Sequence, residues 1–228
     1  MNTTSFTIPN ILSTVIVLLI LITSGTGILT PDFYSAETLN WRSQSIGQDI
    51  INIGIVVPVL ILCIILNVRR NKYAGMMMAG IHLYLVYTFA IYCFDVHFNK
   101  MFLVYCVVLG LSFYAIAYFM YYKVKSSTDL IWGNALAIRV TAFYFIFIAS
   151  IFTLLWLSRI LPSIVISQTP DELKETGLLT NPVHILDLSI ILPAFLITGI
   201  LILKKHNLGY LLAPVLLMFA LLMDLTIA

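Results

Sequence analysis

Among the ionisable residues in or at the edge of apolar stretches of this chain, where a charge is costly unless it is paired or used, five stand out. His184 and Asp187 stand three apart, the spacing that puts two side chains on one helix face. A histidine beside a carboxylate is the minimal pair for a general base and its orienting partner. It serves equally well as a hydrogen-bond network that holds helices in one arrangement. Arg159, near the outer end of another apolar run, is placed either to snorkel to headgroups or to pair with Asp187 or Asp49. Gln48 and Asp49 open a further run, where an acid complements the positive end of a helix dipole or lines a pocket open to the outside. His82 sits near the middle of its run, followed by Tyr84 and Tyr87. It reads as a neutral imidazole bonded to a neighbouring helix or as a proton relay. The expected site is a polar pocket of Gln48, Asp49, Arg159, His184 and Asp187, with His82 as a separate intramembrane polar residue.

Other chemistries lack their residues. There is no His-x-x-x-His and no Glu beside a His on a helix, so no metal is expected. No phosphate loop, dinucleotide fingerprint or nucleophile elbow occurs, and no cofactor is expected. Cys63, Cys93 and Cys106 form no Cys-x-x-Cys pair and read as small buried hydrophobes without a disulfide. A net charge of +2, with no basic run interleaved with aromatics, argues against a nucleic-acid partner. The twelve tyrosines fit packing and interfacial belts.

The elements that must position these residues follow from composition. With 61% hydrophobic and 10% charged residues and a mean hydropathy of +1.04, the chain cannot cover a water-facing surface. Crossing a bilayer core takes roughly 20 helical residues, and lipid leaves helices as the open-ended solution. Seven apolar runs qualify: 11–29, 50–68, 74–94, 101–122, 141–165, 183–203 and 208–228. The expected fold is an all-α membrane helix bundle forming one transmembrane domain. The segment before residue 11 has no Lys or Arg, so the first run reads as a retained helix and not a cleaved signal. The last run ends at Ala228 with no closing charge, which leaves room for an eighth helix beyond it.

Orientation follows from Lys and Arg. Arg69, Arg70, Lys72, Lys123, Lys125, Arg139, Lys204 and Lys205 fall on one side; Arg42, Lys100, Arg159 and Lys174 fall on the other. The richer side is cytoplasmic, which puts the N-terminus inside and most acidic residues outside. Residues 31–48 read as an outer loop with a short interfacial helix around Trp41. Thr169, Pro170, Asp171 and Glu172 read as a capped helix start that Gly177 ends. The inner stretch 123–139 reads as a short amphipathic segment with Leu130, Ile131 and Trp132 at the interface.

The second and sixth runs echo one another. Asp49 precedes Pro58 and then Arg69 and Arg70; Asp187 precedes Pro193 and then Lys204 and Lys205. The spacing from proline to basic pair is the same in both, and transporters are often built from such repeats. The Gly47-Gln48-Asp49 start with Pro58, the Tyr-rich third run leading to Phe98 and Asn99, and Asn181-Pro182-Val183-His184 followed by Asp187 and Pro193 resemble one group of proteins. These are prokaryotic multi-pass membrane proteins with no assigned function. The likeness covers most of 41–217 and implies a membrane bundle that continues further, with no chemistry attached.

Three functions compete. The chain binds or transports a small molecule or lipid through the outer-half pocket; or it is a structural or regulatory subunit packed against another membrane protein; or it is a lipid-modifying enzyme with His184 as base. Membrane lipids are partners in each case, and the plasma or inner membrane is the expected location. Few polar groups line the inner half (Asn67, Asn134, Thr198), which counts against a hydrophilic transport path.

Overall fold

The computed structural model describes the backbone of residues 4–125 and 135–227 and the side chains of 8–123 and 135–226. Asp129, the amphipathic trio around Trp132, and Asn134 lie outside these. Among the described residues the chain is all-helical, with seven helices long and apolar enough to cross a membrane. It is a multi-pass membrane protein.

The elements run α1 (Thr4–Leu29), α2 (Leu39–Ile51), a π turn (Asn52–Val56), α3 (Val57–Val68), α4 (Ala74–Asp95), α5 (Phe102–Lys125), α6 (Ala135–Val165), α7 (Asp171–Thr176), α8 (Pro182–Leu186), a second π turn (Asp187–Ile191), α9 (Leu192–Leu203) and α10 (Asn207–Ile227). α2, its π turn and α3 form one 30-residue span; α8, its π turn and α9 form another of 22.

The second span begins well before the expected residue 50. Thr38 caps α2, its side chain accepting from the Trp41 backbone N–H. The helix around Trp41 is continuous with the span and not a separate interfacial piece. The polar residues of this stretch hid it, because Asn40, Arg42 and Gln44 lower the local hydropathy. Its buried residues, however, are Trp41, Ser45 and Asp49, a stripe at every fourth position. Asp49 therefore lies about ten residues, roughly 15 Å, along the helix from Leu39. Its reading as an acid on a helix dipole is overturned, since that effect fades within the first turn. α7 ends at Gly177 in the left-handed conformation (φ 75°) as expected, but its N-cap is Pro170 and not Thr169.

Both π turns have the same cause. Pro58 and Pro193 lack an N–H and clash with the carbonyl four residues earlier. The chain adds a residue to the turn instead: the Val57 N–H bonds the Asn52 carbonyl, and the Leu192 N–H bonds the Asp187 carbonyl. Both helices also end alike. Arg70 (φ 59°) and Lys205 (φ 56°) adopt the left-handed conformation. Asn71 N–H then reaches the Leu66 carbonyl at 3.0 Å, and His206 N–H the Leu201 carbonyl at 2.9 Å. A side chain at positive φ costs about 1–2 kcal/mol, so its occurrence at both matched positions is informative. Pro58 with Pro193, Asn52 with Asp187, and Arg70 with Lys205 all stand the same number of residues apart. In that register Asp187 matches Asn52, and Asp49 matches His184. The two carboxylates of the sequence echo are not equivalents.

The chain divides into two compact units, Met1–Ser127 with Pro214–Ala228, and Thr128–Ala213. In the first, α4 packs on α5 and α3, while α1 packs on α5, α3 and α2. Tyr92 stacks on Tyr105 (5.2 Å), fixing the end of α4 against the start of α5. Nearby, the Cys93 and Cys106 sulfurs lie 4.0 Å apart as free thiols, a proximity their sequence spacing did not indicate. In the second unit α6 packs on α9. A Cβ on Gly199 would stand 2.9 Å from the Ala142 carbonyl, so glycine permits this close helix approach.

Candidate functional site

The site in the first unit is built on Asp49, which is buried. Tyr34 donates its hydroxyl to Asp49 Oδ2 at 2.7 Å. The Tyr92 hydroxyl reaches Asp49 Oδ1 at 3.0 Å and the Ser45 carbonyl at 3.2 Å. Among the described residues no Lys, Arg or His pairs with Asp49.

Magnitudes frame this arrangement. Burying an ionised carboxylate without a countercharge costs several kcal/mol after relaxation. Hydrogen bonds to a charged group return about 1.5–3 kcal/mol each. Two hydroxyls therefore offset a penalty of about their own size and do not overwhelm it. The protonated acid also fits here, since hydroxyls accept as readily as they donate.

Tyr34 is delivered by the link between α1 and α2. That link is pinned by Arg42 to Asp32 (3.3 Å) and by Glu37 to His97 Nδ1 (2.9 Å). Burial first, and the neighbouring Asp49 charge second, hold the Tyr34 phenol well above its ordinary pKa. It remains a neutral donor throughout the physiological range. Gly27 of α1 completes the enclosure. A Cβ there would stand 2.0 Å from Asp49 Oδ2 and 2.9 Å from the Tyr34 hydroxyl, so only glycine leaves room for the carboxyl group.

One turn along α2 the network continues. Gln48 Nε2 donates to the Tyr84 hydroxyl and, at 3.1 Å, to Asn52 Oδ1. Asn52 Nδ2 donates to Ser24 Oγ at 3.4 Å, and Tyr84 meets Thr226 Oγ1 at 3.0 Å. Side chains from α1, α2, α4 and α10 and from the π turn thus meet in one buried polar cluster. Gln48 and Asp49 belong to it as expected. Tyr34, Tyr84, Tyr92, Ser24, Ser45, Asn52 and Thr226 were missed. The spacing of Ser45, Gln48, Asp49 and Asn52 on one helix face was the available signal.

His82 has its own arrangement in this unit. It is fully buried, its Nε2 lies 2.8 Å from Ser13 Oγ, and its Nδ1 has no hydrogen-bond partner among the described residues. Further toward the start of α1, Asn67 Nδ2 donates to Asn10 Oδ1 at 2.8 Å.

Arg159, His184 and Asp187 belong to the second unit. Asn181 caps α8, accepting from the Val183 and His184 N–H groups, and donates to Glu172 Oε1 at 2.7 Å. The His184 ring packs on Trp156 (4.4 Å), and the Trp156 indole N–H donates to Asp187 Oδ2 at 2.9 Å. His184 Nε2 is buried without a hydrogen-bond partner among the described residues. Arg159 is exposed, as a snorkelling side chain would be. Trp156 is the member that sequence reading missed. Ser189 turns its hydroxyl to the Ile185 carbonyl at 2.5 Å and offers no nucleophile to His184. Among the described residues no group of three His, Cys, Asp or Glu is placed to hold a metal. Comparison with protein-family models, curated proteins and solved structures finds no match to this chain.

Proposed function

We propose that this chain is a solute-binding membrane protein of transporter type, in which Asp49 takes up and releases a proton as the coupling ion. The observation that supports it is a buried carboxylate inside a membrane span with hydroxyl partners and no cationic one. Such a group carries a proton or holds a cation. Gly27 lies directly against Oδ2, where a hydrated or metal cation would need room. That contact favours the proton. The matched π turns support a transporter type, since π turns mark functional sites in helices and transporters are built from repeats. Lys and Arg distribution puts Asp49 in the outer half. The solute is small and enters from the outer side, and the protein works in the plasma or inner membrane among its lipids.

A second reading has an observation of its own. The hydroxyls and amides around Asp49 satisfy one another, which suits a structural subunit bound to another membrane protein. A hydrophobic carbodiimide separates the two. It adds only to a protonated carboxyl group; the acid's proton goes to the reagent and the carboxyl oxygen bonds the carbodiimide carbon. The purified full chain in lipid is treated between about pH 5 and about pH 9 and peptide-mapped. Asp49 should be modified faster as pH falls, and Asp49→Asn should leave that peptide unmodified. Protection by sodium at fixed pH would replace the proton with a metal cation. No modification at any pH would leave the structural reading.

A further inference from the structure

We propose that His82, with Ser13, is a second proton site, placed on the cytoplasmic side of an apolar seal and loading Asp49 from within. The inference rests on the reading of Asp49 as a proton carrier. It comes from α1, whose inward face orders the polar groups of the first unit. At about 100° per residue, Asn10, Ser13, Ser24 and Gly27 fall within roughly a 100° arc. Each meets a partner there: Asn10 with Asn67, Ser13 with His82, Ser24 with Asn52, and Gly27 with Asp49. This face supplies the inner-half polar groups that the sequence appeared to lack.

The series is interrupted once. Between Ser13 and Ser24 the same face carries Ile16 and Ile20, both fully buried, with Val17 beside them. That interval spans about 16 Å of helix. It is too long for a direct proton step and divides the unit into an outer station at Asp49 and an inner one at His82, so a proton passes between them only when the working cycle admits water to the interval.

His82 suits the inner station. A neutral imidazole offers one donor and one acceptor, yet only Nε2 is engaged, and a buried nitrogen left without a partner calls for an explanation. A water or a proton at Nδ1 supplies one. Of the helices around His82, α1 has no ionisable side chain; α3 has Cys63; α5 has Tyr105, Cys106, Tyr114, Tyr118, Tyr121 and Tyr122, with Lys123 and Lys125 in its last turn; and α10 has Tyr210 near its start and Asp224 near its end. The ring's one hydrogen bond among the described residues is to Ser13, which orients it.

The test uses carbodiimide modification of Asp49 as a proton reporter in sealed membrane vesicles of one orientation, with the pH on each side set separately. Lowering the cytoplasmic-side pH by about one unit should speed modification at least threefold in the unaltered protein. His82→Gln keeps a hydrogen bond to Ser13; it should abolish that response while retaining the response to outer-side pH. Ser13→Ala, which leaves the imidazole in place, should weaken the cytoplasmic-side response. If Asp49 follows only the outer-side pH in the unaltered protein, or responds to cytoplasmic pH equally well in His82→Gln, the inference is overturned and the Asp49 reading stands. If Asp49 is never modified, both fail together.

Discussion

The spans formed by α2 with α3 and by α8 with α9 share a backbone and differ in chemistry. Each carries a π turn ahead of a proline and ends with a basic residue in the left-handed conformation. At matched positions, however, one has Asp49 and Asn52 and the other has His184 and Asp187. Ser24 in α1 stands in the same register as Arg159 in α6. The first unit thus encloses an acid among hydroxyls, while the second holds an acid on an indole that also packs on an imidazole. Backbone form here follows from proline and the helix end, and chemistry from which side chains are hung on it. Carboxylates at similar distances before a proline need not do the same work.

The comparison breaks most sharply at Gly27. Gly27→Ala should cost about 3 kcal/mol, the upper end for overpacking a tight site, because its methyl would meet Asp49 Oδ2. Gly25→Ala, with nothing within 4 Å of the added carbon, should be near neutral. Thermal unfolding of both variants in the same detergent checks the difference; equal shifts would mean that Gly27 does not enclose the acid.

Tyr34→Phe comes next. It should cost about 1.5–3 kcal/mol if Asp49 is ionised, as for a hydrogen bond to a charged group, and about 1 kcal/mol if Asp49 is protonated. Running the same unfolding assay at low and high pH distinguishes the two, and the loss should grow as pH rises and the carboxyl ionises. Trp156→Phe removes the matching donor from Asp187 in the second unit. Its effect there tells whether that acid depends on its donor to the same degree.

Smaller effects belong to the proline turns. Pro58→Ala and Pro193→Ala restore an N–H to each helix and should each shift stability by less than about 1 kcal/mol. The informative reading is Asp49 modification, which Pro58→Ala should slow and Pro193→Ala should leave alone. Last, mild oxidation should cross-link Cys93 to Cys106, since their sulfurs already lie 4.0 Å apart between the end of α4 and the start of α5. Loss of free thiol without any change in unfolding temperature would be consistent with that register; no cross-link would argue against it.

Much of the fold was legible because apolar runs of span length have few alternatives in lipid. Six of the seven helices lie close to their expected bounds. The exception, α2, was masked by polar residues on its outward faces, and with it went the depth of Asp49. The pocket was legible only in part. Gln48 and Asp49 could be named from their types, but their partners come from α1, α4, α10 and the α1–α2 link, and no sequence spacing brings Tyr34 to Asp49. A tyrosine's apolar ring and polar tip also suit an interfacial belt, so Tyr84 and Tyr92 carried no separate signal. The prolines could be seen, but the π turns they impose could not.

The most direct test of the account is infrared spectroscopy of the purified chain in lipid across a pH titration, following the C=O stretch of a protonated carboxyl group in an apolar site. The account predicts a band present at low pH, lost as pH rises, and missing from Asp49→Asn. A spectrum without that band at any pH, or one unchanged in Asp49→Asn, would contradict it.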